Sequence, residues 1–309
     1  MELRVYDNKA DRIFKFVTMA LAAAIPVIFF SILLMLIQKS WAAMSAFGWK
    51  FVFGSSWNAV TNEYGALPFI YGTVVSSLIA LLIAVPLGLG CAIYLSEISN
   101  SKFKEYIATM VDMLAAIPSV VYGLWGIFVL GPWLVDYVQP FLGGVLGFLP
   151  IFQGPYQGLS MLTAGVILAI MILPTITSVS REVLQVVPNS LRESAMALGG
   201  TKLETVKLAV IPPAVSGIIG SVILALGRAV GETMAVTMVI GNRPQISASL
   251  FAPAYTLSSV IANEFAEAVT DLQFSVMVEI ALILLAVTIV INGLARLLIW
   301  KLASKNRIQ

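Results

Sequence analysis

The chain has 309 residues, 59% hydrophobic and 11% charged, with a net charge of +2. Soluble domains carry about 25% charged residues, so a water-soluble fold is excluded and much of the surface must face lipid. The absence of histidine rules out histidine-ligated metals and a histidine general base, and the single cysteine, Cys91, rules out an internal disulfide or thiolate cluster.

Apolar windows of about 20 residues predict an all-α integral membrane protein of about six spans. They cover residues 14–37, 69–95, 106–130, 160–180, 212–240 and 276–300 of one permease-sized domain, 1–309. The first window reads as a retained anchor. Its apolar core exceeds the roughly 7–15 residues of a signal peptide, and Glu2, Asp7 and Asp11 precede it. The second, third and fourth windows each contain a proline (Pro86, Pro118, Pro174) that removes a backbone donor and predicts a kink. Glu97 and Glu105 read as solvated at helix ends, and Asp112 and Glu279 as interfacial. The connection 131–159 is rich in Gly, Pro and aromatics without a basic residue, and 241–275 carries Glu264, Glu267 and Asp271. Either could lie along the interface, receive an external partner or pack between helices.

Basic residues set the orientation. One set of segments holds fourteen: Arg4, Lys9, Arg12, Lys15, Lys102, Lys104, Arg181, Arg192, Lys202, Lys207, Arg296, Lys301, Lys305 and Arg307. The alternate set holds three, Lys39, Lys50 and Arg243. Both termini are therefore expected in the cytoplasm.

The cytoplasmic connection 181–211 is long and patterned. Pro188-Asn189-Ser190 reads as a helix start, with Ser190 as cap and Glu193 in capping-box position. Gly199-Gly200 ends that helix, Thr201–Val210 forms a second, and Pro212-Pro213 opens the fifth span. A helix–Gly–helix elbow against the inner face suits docking to a cytoplasmic partner; an amphipathic connector is the alternative.

Within the fifth window the run GRAVGETMAV places Arg228 near the middle of a span, where an arginine costs about 2.5–3.5 kcal/mol on insertion scales. If helix continues, Arg228 and Glu232 share one face, about 6 Å apart along the axis, and can neutralise each other. Thr233 and Thr237 form a second helical pair that could add hydroxyls to a polar cavity. The pair reads either as an ion pair fixing helix packing or as part of an anion pathway, since arginine offers a fixed fork of donors matched to oxyanions.

Glu193-Ser194-Ala195, followed after three residues by Gly199 and then by Ile211-Pro212, resembles the EAA loop of importer-type ABC transporter permeases. Ser194, Ala209 and Ile211 depart from the family pattern. The runs Pro86–Glu97 (PLGLGCAIYLSE), Ile117–Gly123 (IPSVVYG) and Gly227–Asn242 (GRAVGETMAVTMVIGN) resemble phosphate permeases, the last one subunit type of that family more than its partner. The likeness spans about 69–300. It implies a type I ABC importer permease fold in a bacterial or archaeal cytoplasmic membrane, with inorganic phosphate as substrate. It also implies that Glu193, Ala195 and Gly199 form the elbow that enters a groove on the ATPase. The implied partners are a second permease subunit, an ATPase dimer and an extracytoplasmic phosphate-binding protein, with lipid around them and no nucleic acid. The sequence has no G-x-x-x-x-G-K-[ST], so no cofactor is expected on this chain, and ATP is used by partner subunits. Two other readings remain: a permease for sulfate or molybdate, and a proton-driven secondary transporter with Glu232 as carrier. An elbow built for docking has no evident use in the latter.

Overall fold

The computed structural model describes residues 9–99 and 103–305. Glu2, Arg4, Asp7, Lys102 and Arg307 lie outside them. In chain order the helices are α1 (Lys9–Phe47), α2 (Lys50–Phe53), α3 (Leu67–Ile98), α4 (Phe103–Ala115), α5 (Ser119–Leu146), α6 (Met161–Val186), α7 (Asn189–Ala197), α8 (Lys202–Gly231), α9 (Met234–Val239), α10 (Leu257–Glu264) and α11 (Asp271–Lys305). Among the described residues no strand forms; two isolated bridges, Asn58 with Glu63 and Gly241 with Ala254, pin outer turns. Six helices (α1, α3, α5, α6, α8 and α11) are long and apolar enough to cross a membrane.

The core is built around α6. Its Ile167, Leu168, Met171, Ile172 and Ile176 are buried against Ala80 and Ala84 of α3, Ala225 and Ala229 of α8, and Val236 and Val239 of α9. Small residues allow this closeness: a methyl on Gly165 of α6 would stand 2.5 Å from Ile79 Cγ2. Between α6 and α8 the hydroxyls of Ser180 and Ser221 meet at 2.8 Å, satisfying each other inside the apolar layer. The long N-terminal helix behaves differently. Only Ser40 and Ala43 of α1 are buried, where the Ala43 amide donates to Ser275 Oγ of α11 at 3.0 Å.

Two predicted spans differ in form from the expectation. The third is broken: α4 ends at Ala115, Pro118 has extended ψ (140°), and α5 restarts at Ser119. Pro118 has no N–H for the Leu114 carbonyl, and the Tyr122 hydroxyl donates to that carbonyl instead at 2.8 Å. Helix then runs on to Leu146, so the first half of the expected 131–159 loop is helical. In the fifth span Pro212 and Pro213 stand in the first turn of the regular α-helix Ile211–Gly231, as expected, but the helix continues without a break from Lys202 through a π-turn (Val206–Val210), and it stops early, at Gly231.

Candidate functional site

Depth along the bundle follows from pairs of touching residues. Ser221 lies beside Ser180, and Gly88 of α3 beside Ile176 and Thr177. Gly126 of α5 lies against Ile167. Arg228 is two turns, about 10 Å, outward from Ser221, which brings it level with Pro174 at the middle of α6. The same count places Pro118, eight residues inward of Gly126, and Pro86, two residues from Gly88, near that level. The prolines inside α3 and α6, the break in the third span and the end of α8 therefore cluster at mid-membrane. Irregular backbone at this depth is tolerated only inside protein or along a water-filled cavity.

The expectation that Arg228 and Glu232 share a helical face is corrected here. Arg228 sits in the last turn of α8, and Glu232 is already extended, with ψ 128°. No ion pair joins them: among the described residues the exposed Arg228 side chain makes no hydrogen bond or ion pair. Glu232 instead accepts from the Ala235 amide at 3.3 Å, so its carboxylate caps the start of α9, where negative charge is favoured. The Ser258 hydroxyl holds the Glu232 carbonyl at 2.7 Å, fixing the turn from α10. Thr233 and Thr237 do form the expected helical pair, the Thr237 hydroxyl donating to the Thr233 carbonyl at 2.7 Å. Asn242 closes the far end of α9 by donating to the Thr237 carbonyl at 2.8 Å.

At the inner face the elbow takes the anticipated form with different caps. Ser190 does not cap α7, which starts after Pro188 without a side-chain cap, and Glu193 makes no capping box. The capping box belongs to α8, where Thr201 and Glu204 bond reciprocally; those bonds hold the Glu204 carboxyl below its ordinary range. Gly199 turns the chain at φ +85°, a conformation glycine adopts at least cost. Ala195 and Gly199 line a shallow cavity of about 690 Å³, bordered by Leu191, Leu198 and Leu208, whereas the exposed Glu193 is not part of its wall. Leu198 is 91% exposed.

Two acidic residues differ from expectation. Glu97 is not solvated: its side chain is 7% exposed and receives both Nε (2.9 Å) and Nη2 (2.7 Å) of Arg192. This bond pushes the Arg192 pKa up. Glu279 is not interfacial but 5% exposed on α11, its Oε2 without a partner, at the edge of an apolar groove. Nothing in the sequence signals either environment, because the neighbours come from distant segments.

Comparison with known proteins decides the family. The pattern described as "Binding-protein-dependent transport system inner membrane component" matches residues 84–303. The chain belongs to this family. Within it, a protein of Mesorhizobium japonicum named "Phosphate transport system permease protein PstC" is 48% identical over 300 residues, covering 96% of this chain and 92% of the relative. A "Probable phosphate transport system permease protein PstC" of Methanocaldococcus jannaschii is 35% identical, covering 94% of each. Among solved structures, an inward-facing form of the MetNI methionine ABC transporter aligns with a TM-score of 0.53 at 18% identity, covering 77% of this chain and 94% of the other. A bacterial ABC transporter for alginate import aligns at 0.55 and 15%, covering 94% and 99%. At such identities the two structures speak for the fold alone. The importer-permease fold expected from the sequence thus agrees with both family and structure.

Proposed function

We propose that this chain is a transmembrane permease subunit of an ATP-driven importer of inorganic phosphate, placed in a bacterial or archaeal cytoplasmic membrane. The reading rests above all on near end-to-end similarity to proteins named for phosphate transport. Its partners are a second permease subunit, an ATPase dimer and an extracytoplasmic phosphate-binding protein. ATP is consumed by the ATPase, and this chain carries no cofactor.

Arg228, Glu232, Thr233 and Thr237 form the wall of the anion pathway. Support comes from Arg228, a mid-membrane guanidinium that makes no hydrogen bond or ion pair among the described residues, beside helices interrupted at its depth. A charge so placed is stable only against water, a passing anion or another subunit. Its fork of donors suits the oxygens of phosphate. Glu232 places a carboxyl group four residues away and so opposes permanent retention of the anion. Glu193, Ala195 and Gly199 present the elbow to the ATPase, whose groove would cover the exposed leucines beside them.

The test is uptake of labelled phosphate by the complex reconstituted in vesicles. Uptake should require both ATP and the binding protein and should survive an excess of sulfate or molybdate. Uptake of labelled sulfate with phosphate ignored would overturn the substrate. Uptake driven by a proton gradient without ATP would overturn the importer reading.

A further inference from the structure

The cytoplasmic elbow is poorly anchored by packing. Helix α7 has no buried residue, and of its nine side chains only Arg192 and Ala195 are even half-covered. Hydrophobic burial within this chain therefore cannot set its angle against the membrane helices. What reaches across is Arg192. Its guanidinium donates to Glu97 Oε1 and Oε2 on α3, to the Leu184 carbonyl at 2.9 Å and the Val187 carbonyl near the end of α6, and to Asn189 Oδ1 at 3.2 Å. One side chain thus ties three elements, α3, α6 and α7.

The geometry favours stiffness over net stabilisation. The pair is bidentate, with side chains 16% and 7% exposed, so solvent screens it weakly and its direction is fixed by the planar fork. Glu97 is delivered by a wide π-turn, Tyr94–Ile98, at the inner end of α3. Such turns shift the phase of a helix and occur often at functional positions. Ser96 Oγ adds a bond to Glu97 Oε1 at 3.3 Å, holding the carboxylate from its own helix.

We infer that the Glu97–Arg192 pair is a coupling strut, which makes the elbow move as one body with the inner ends of α3 and α6 when the ATPase pulls on it. Neither residue touches the anion or ATP; both are positioning residues. Without the strut α7 would pivot on its exposed connections, and nucleotide-driven motion would be spent in the elbow instead of reaching the proline-rich layer at mid-membrane.

The inference rests on the importer reading. Its test uses the full complex in vesicles, with Glu97→Gln, Arg192→Gln, both together, and Arg192→Lys. Phosphate moved per ATP hydrolysed and basal ATPase are measured, each scaled to assembled complex. Each single Gln variant should lower the transport ratio about tenfold, within the usual range of coupling energies, while basal ATPase stays near wild type. The double variant should be no worse than the singles, because they remove one shared interaction. Arg192→Lys, which keeps the charge but loses the fork, should fall between. An unchanged ratio, multiplying effects in the double variant, or uptake and ATPase falling together with assembly would each overturn the strut. Uptake by wild type without ATP would remove the importer reading and the strut with it; intact wild-type coupling beside unaffected variants would remove the strut alone.

Discussion

Arg228 and Glu232 show how far a residue can be read before its backbone is known. The unusual charges were legible, since an arginine inside an apolar window is costly wherever it sits. Their relation was not, because the apolar run continues to Ile240 and Gly231 alone does not announce the end of α8. The helix stops where Gly231 weakens it and where the Ser258 hydroxyl takes the Glu232 carbonyl, 26 residues away in sequence. Tyr122 is a second case: nothing in the sequence marks its hydroxyl as the donor that replaces the one Pro118 lacks. Tyr122→Phe should therefore leave the Leu114 carbonyl with only a 3.4 Å bond from Ile117 and cost about 1 kcal/mol. Thermal unfolding in lipid discs checks this, and a melting curve superimposed on wild type would mean that the bond contributes nothing.

At the scale of elements, four predicted spans match single crossing helices, the third proved to be two helices in series, and the fifth stops at Gly231 with a short helix after it. Proline marked the site of that break, but a kinked helix and a broken one look the same in sequence. The outer elements were the least legible, because long-range contacts shape them. Gly72 of α3 is one such point, where a Cβ would collide with the Tyr255 carbonyl of the segment leading into α10, next to the bond from the Leu257 amide to Thr73 Oγ1. Gly72→Ala should force α3 and α10 apart at a cost of about 1–3 kcal/mol, seen as a lower melting temperature and faster amide exchange in α10. Glu264, at the end of α10, gives a pH signature. Burial raises its pKa, against the opposing bond from Trp57 Nε1 at 2.9 Å. With the folded value above the unfolded one, stability is fully present below the ordinary carboxylate pKa and declines as pH rises through the folded value. Unfolding followed upward from about pH 4.5 should show this decline, and Glu264→Gln, which can still accept from Trp57, should flatten it. An equally steep decline in the variant would place its origin elsewhere.

For the whole molecule, composition alone settled the solvent, and the uneven basic residues set an orientation that the elbow fits, since both place residues 181–211 on the cytoplasmic side. The chain is visibly a part of something larger. Among the described residues, helix α1 buries almost nothing, the α7–α8 elbow exposes leucines, and the Arg228 side chain makes no hydrogen bond or ion pair. Under the proposed function these surfaces would meet lipid, a second permease subunit and an ATPase, with Pro86, Pro118 and Pro174 at the depth of Arg228. In the proposed pathway Arg228 meets the anion at that depth. The most direct measurement is ATP-driven phosphate uptake by the reconstituted complex carrying Arg228→Gln, with assembly and ATPase activity followed in the same vesicles. Uptake lost while assembly and ATPase persist is the predicted result; uptake retained, or lost only because the complex no longer assembles, would contradict it.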